Sequence, residues 1–107
     1  MTYISQDQDV TTLINVFTVA PKNQQRLLDL LAEATESVMA RQPGFVSANL
    51  HRGLDGTTVA NYAQWRSRED FEAMLGNREP QAHMGKAHEL AEVEPRLYEV
   101  AFSHGGD

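Results

Sequence analysis

The 107-residue sequence contains no cysteine, which removes disulfides, thiolate-held metals, iron–sulfur clusters and cysteine nucleophiles together. Basic residues are scarce. Nine Lys and Arg stand against fifteen Asp and Glu, a formal net charge of −6. Proteins that track phosphates gather positive charge on one face, so no nucleic-acid partner is expected. The acidic residues (Asp7, Glu33, Glu69, Asp70, Glu89 and Glu92 among them) are spread along the chain and serve solubility. No apolar run approaches the roughly 18 residues of a membrane span, so no membrane partner is expected either. The opening Met1-Thr2-Tyr3-Ile4-Ser5-Gln6-Asp7 has neither the basic region nor the apolar stretch of a secretory signal, which makes the cytoplasm the expected location. Gly53-Leu54-Asp55-Gly56 sits in a hairpin rather than between a strand and a helix, so it is no phosphate loop, and no Gly-x-Ser-x-Gly elbow occurs.

What remains is one domain's worth of chain, 41% hydrophobic, enough for a modest core that buries roughly two-thirds of the unfolded surface. Residues 1–10 are polar and read as a flexible lead-in. Thr11 to Ala20 is rich in β-branched and aromatic residues and reads as a first strand, with Leu13, Asn15, Phe17 and Val19 on one face. Residues 22–41 carry Leu27, Leu31, Ala34 and Val38 on one stripe, the spacing of an amphipathic helix, and Gln42-Pro43-Gly44 ends it. Phe45 to Arg52 reads as a second strand. The Asp55-Gly56 pair signals a hairpin into a third, from Thr58 to about Arg66. Ser67-Arg68-Glu69-Asp70 matches a capping box that opens a helix carrying Phe71, Met74 and Leu75 inward, with Gly76 and Asn77 stopping it. A further helical piece follows Pro80 and ends at Pro95, and Arg96 to about Phe102 reads as the last strand. The order β-α-β-β-α-β predicts an α+β, ferredoxin-like split βαβ fold over 11–103, with an antiparallel sheet, helices on one face, and a frayed tail at 104–107. The bare sheet face left over predicts a homodimer, a dimeric α/β barrel.

Candidate chemistry concentrates on the strands. Asn61 and Trp65 are four apart, so both point to one face about 13 Å apart along the strand, and Asn15 is the polar anomaly of the first strand. If helices cover that face, an amide and an indole N–H sit inside and must find partners. A bound ligand is one such partner; the alternative is that Asn61 bonds backbone while Trp65 fills the core. His83, His88 and Glu89 resemble a metal cluster only in composition, because histidines five apart on a helix face two directions.

The stretch Pro43-Gly44-Phe45-Val46-Ser47-Ala48, then Leu54-Asp55-Gly56-Thr57, then Asn61-Tyr62-Ala63-Gln64-Trp65 and Ser67 resembles the antibiotic biosynthesis monooxygenase family, most densely over 43–75 and in outline over 11–102. Within it, the look is that of anthrone oxygenases, which tailor aromatic polyketides with O₂ and neither metal nor flavin. The resemblance implies no cofactor, O₂ as co-substrate, a dimer, and a catalytic set of Asn15, Asn61 and Trp65. Phe71 stands where some members place a tyrosine, and a late arginine of some relatives has no clear counterpart. The corresponding expectation is a small polycyclic aromatic, anthrone- or quinol-type, bound between sheet and helices. Phe17, Phe71, Met74, His51 and His83 are the candidate substrate-binding residues. Asn15 and Asn61 would stabilise a substrate enolate, and Trp65 would pack on the rings. His51, His83 or solvent would take the proton. Two other readings stand beside this one. In haem degradation on the same fold, Asn15 and His83 fit but Phe71 and Met74 replace the needed helix tryptophan. In the other, the protein is a non-catalytic small-aromatic-binding dimeric barrel.

Overall fold

The structure, a computed structural model, describes residues 1–105; Gly106 and Asp107, the end of the expected frayed tail, lie outside the described residues. The β-branched run forms β1 (Thr11–Val19), and Pro21 then opens a single 3-10 turn that leads into α1 (Gln24–Ser37). A second 3-10 turn over Met39–Arg41 ends the segment, so the helix is shorter than its 22–41 hydrophobic pattern. β2 (Phe45–Arg52) and β3 (Thr58–Trp65) form a hairpin, followed by α2 (Arg68–Leu75), α3 (Arg78–Leu90) and β4 (Ala91–Tyr98). All pairings are antiparallel, in the order β2-β3-β1-β4. This is the expected ferredoxin-like α+β fold.

Local chemistry explains the boundaries. Gly56 takes a positive φ of 80° in the hairpin, while the Asp55 carboxylate accepts the Thr57 N–H at 2.8 Å. Ser67 caps α2 by accepting the Asp70 N–H at 3.1 Å, and Gly76 ends that helix. Pro80 falls in the first turn of α3, where its missing N–H has no helical partner to lose. The last strand departs from expectation. It begins at Ala91 rather than Arg96, directly after α3, and contains Pro95. Proline is tolerated there because β4 is an edge strand whose only neighbour is β1.

The helix face of the sheet and the helices enclose two apolar clusters. One joins Phe17, Val19, Leu27, Leu28, Val59 and Ala87; the other joins Leu13, Ala63, Trp65, Phe71 and Met74. Burying each large side chain contributes roughly 1.5–3 kcal/mol. On the outer face, Gln64 is a buried hub. Its Oε1 accepts from the Ser47 hydroxyl (2.8 Å) and its Nε2 donates to the Tyr3 carbonyl (2.6 Å), which ties the lead-in to the sheet.

Candidate active site

Strand register builds the site. Asn15 of β1 and Asn61 of β3 are direct cross-strand partners, flanked on one side by Leu50 of β2 and on the other by Pro95 of β4. Directly opposed side chains have Cβ atoms on the order of 5 Å apart, so the two amides stand shoulder to shoulder. The next row holds Leu13, Ala63, Ala48 and Leu97, and beyond it lies Trp65 beside Phe45. The two alanines leave space above the sheet. Helices α1, α2 and α3 roof that space into a cavity of about 610 Å³, within the range of small-molecule sites.

The floor is preorganised. The Asn61 side-chain carbonyl accepts the backbone N–H of Asn49 at 3.2 Å, which fixes the amide plane and leaves its NH₂ without a partner among the described residues. The expected alternative, a backbone bond for Asn61, is therefore half of the arrangement: one end of the amide is anchored and the other is free. Trp65 is 2% exposed and held edge-on between Phe45 (centroids 5.6 Å, 88°) and Phe71 (5.9 Å, 69°). Its strand end is pinned by the Arg66 N–H donating to the Gly44 carbonyl (2.7 Å) and by the Arg66–Asp70 ion pair (2.8 Å). The hydrogen bond from Arg66, then that from Ser67, holds the Asp70 carboxyl below its usual range.

Three buried side-chain polar atoms lack a hydrogen-bond partner among the described residues: Thr12 Oγ1, Asn15 Oδ1 and His83 Nδ1. Thr12 faces away from the helices, opposite Gln64, but the other two lie in the cavity wall. A buried unpaired polar atom costs about 1–3 kcal/mol, and two of them on cavity-lining residues leave this wall short of hydrogen bonds.

The structure brings together Asn15, Asn61, Trp65, Phe17, Phe71, Met74 and His83 around this cavity. It does not bring in His51. Strict alternation from Phe45 would put His51 on the core face, but a bulge between Phe45 and Ser47 reverses the phase of β2. His51 is consequently exposed on the outer face, with Nδ1 against the Asn49 carbonyl (3.0 Å). Sequence reasoning also missed lining residues. Leu31 lies on the apolar stripe of α1 and Thr35 beside it, Met84 adjoins His83, and Arg68 and Glu72 form an exposed pair (3.7 Å) from α2. Ala63 was legible, since it lies midway between Asn61 and Trp65 on one strand face. Among the described residues, no three His, Asp or Glu side chains gather as a metal site.

The family model of the antibiotic biosynthesis monooxygenases matches residues 11–90. The chain belongs to that family. Tetracenomycin-F1 monooxygenase of Streptomyces glaucescens is 44% identical to it over 105 residues, 98% of this chain and 94% of the relative. SnoaB of Streptomyces nogalater, a cofactor-independent oxygenase, superposes with a TM-score of 0.77 at 29% identity, covering 90% of this chain and 97% of SnoaB. The monooxygenase ActVA-Orf6 of Streptomyces coelicolor, solved with nanaomycin D, shares the fold with a TM-score of 0.79 at 24% identity over 91% and 92% of the two chains. This member of the family is a monooxygenase. Among the described residues no helix is long and apolar enough to cross a membrane.

Proposed function

We propose that this monooxygenase oxidises an anthrone- or quinol-type polycyclic aromatic, a polyketide-tailoring reaction, with O₂ and no cofactor, as a cytoplasmic homodimer. The observation that carries the reading is the Asn15–Asn61 cross-strand pair on the floor of an apolar cavity, with Trp65 on the same face. The substrate enters the cavity with its carbonyl oxygen against the Asn61 NH₂. Loss of a proton from the reactive CH₂ leaves an enolate whose oxygen gathers charge, and the fixed Asn61 NH₂ meets that charge without reorganising. Trp65 packs against the ring system and offers its indole N–H.

Electron counting supports the absence of a cofactor. Converting CH₂ to C=O removes four electrons, and O₂ takes four in becoming the new carbonyl oxygen and one water. The enolate carbon bonds O₂ to form a peroxide, the peroxide is protonated, and water leaves as the carbonyl forms. Substrate and O₂ balance by themselves. The name of the tetracenomycin-F1 relative and the nanaomycin D bound by ActVA-Orf6 support a polycyclic aromatic guest. The dimer is supported by the outer sheet face, where Val16 and Tyr98 remain 42% and 46% exposed.

The test is O₂ consumption with the anthrone dithranol, without added metal or flavin and under ¹⁸O₂. The expected result is one O₂ consumed per quinone, one labelled oxygen in the product, and loss of uptake in Asn61→Ala and Trp65→Phe. A stable wild type that takes up no O₂, or a quinone carrying no label from the gas, refutes the reading.

A further inference from the structure

We propose that His83 is the base that takes the proton from the substrate's CH₂ and returns it to the peroxide. This deepens the anthrone-type reading above and rests on it. Two features of the structure single out this imidazole. His83 lines the cavity, and its Nδ1 is buried with no hydrogen-bond partner among the described residues. Buried ring nitrogens are ordinarily paired, so no hydrogen bond at this nitrogen holds the ring in one orientation and the imidazole is free to serve a guest in the cavity.

The topology sets its height above the floor. α3 runs straight into β4, which is antiparallel to β1, so α3 runs in the same direction as β1. Ala91, just past the helix, pairs with Val19, and Ala87 shares a cluster with Phe17. Four residues back along α3 from Ala87 is a step of about 6 Å, and two residues back along β1 from Phe17 is about 6.6 Å. His83 therefore lies above the row that holds Asn15 and Asn61. A flat guest between them has its oxygen toward the floor amides and a ring edge toward the imidazole.

The step balances. A neutral imidazole nitrogen bonds the proton as the C–H bond breaks, and the electron pair passes into the enolate. After O₂ adds, the imidazolium gives the same proton to the peroxide, and water departs with that proton and the remaining carbon-bound hydrogen. Other ionisable groups that line the cavity are Arg68 and Glu72 of α2, His88 of α3 and Arg96 of β4. His88 is exposed, Arg68 and Glu72 face each other at 3.7 Å, and the register of Arg96 with Ile14 turns its side chain to the outer face. The stretches of β1, β3 and α1 that line the cavity add no ionisable side chain.

The experiment separates this step from oxygenation. Dithranol is incubated anaerobically with enzyme in D₂O, and deuterium entry at its CH₂ is followed by NMR; O₂ uptake is measured in parallel. Wild type is expected to accelerate both. His83→Gln is expected to lower both by about 10²-fold or more, the usual contribution of a positioned base. His83→Ala is expected to regain exchange on addition of free imidazole, which a merely structural defect would not do. Wild-type rates of exchange and uptake in His83→Gln, or no rescue of a folded His83→Ala, overturn the assignment while leaving the oxygenase reading intact. Absence of both activities in wild type overturns both.

Discussion

Asn61 performs two jobs that a pair of substitutions can pull apart. Its carbonyl end accepts the Asn49 N–H at 3.2 Å, and its NH₂ end faces the cavity. Asn61→Asp keeps an acceptor for Asn49 and removes the donors. Losing one donor to a developing oxyanion typically costs about 10²–10³ in turnover, or about 2.7–4 kcal/mol of barrier. The backbone bond survives in this variant, so any loss of stability comes from the carboxylate itself among apolar neighbours. Asn61→Ala loses the donors and also leaves the Asn49 N–H without a partner in a half-buried position. The second loss adds roughly 1 kcal/mol of destabilisation, a fall of about 4–8 °C in Tm for a domain of this size. O₂ uptake with dithranol and thermal unfolding, measured side by side, check both. The reasoning fails if Asn61→Asp turns over within about threefold of wild type, since no donor of oxyanion-hole magnitude would then have been lost.

Trp65→Phe keeps an aromatic ring against Phe45 and Phe71 but removes the indole N–H. It should lower turnover by tenfold or more on the order expected of a lost hydrogen bond to charge, with a fall in Tm far smaller than that of Trp65→Ala, which should lose about 3–5 kcal/mol. Gly44→Ala should be destabilised by at least about 1–2 kcal/mol in a denaturant melt, because Gly44 has φ +84° and a Cβ there would stand 2.5 Å from Asp70. The Asp70 carboxyl, depressed first by its hydrogen bond from Arg66, supports stability above its unfolded value of about 3.9 and loses that support as pH falls through its folded value. Acid unfolding curves should therefore be less steep below about pH 4 in Asp70→Asn than in wild type.

The fold was legible because its signals are local and agree. The β-branched first strand, the leucine stripe, the Asp55-Gly56 hairpin and the Ser67 cap each set an element at a definite place. The last strand was misread because Pro95 has two meanings. A proline ends a helix interior, but on an edge strand it removes nothing that pairs, and edge position is a property of the finished sheet. His51 was misread for a related reason: the bulge at Phe45/Ser47 leaves no mark in the pattern of residue types, yet it turns every later side chain of β2 to the other face. The pairing of Asn15 with Asn61 was likewise hidden. Alternation places each on a face, but only register places them opposite each other.

That register also bears on why the floor carries amides rather than a cation. Arg68 is held beside Glu72 at 3.7 Å, and Arg96 turns to the outer face, so among the described residues no Lys or Arg side chain stands on the sheet floor at the Asn15–Asn61 row. A fixed cation under the oxygen would attract a ground-state phenolate nearly as well as the enolate, and binding both alike lowers KM without raising kcat. An amide dipole gains most where charge increases along the reaction, and its worth rises when its neighbours are apolar. Leu50 and Pro95 bracket the pair in its own row, with Leu13, Ala63 and Leu97 in the next. The donors are thereby set among apolar neighbours, with Pro95 at the exposed edge of the row. On this geometry, replacing Asn15 with a basic residue should tighten substrate binding yet slow turnover, and a variant in which both improve would show that charge rather than a preorganised dipole governs the floor.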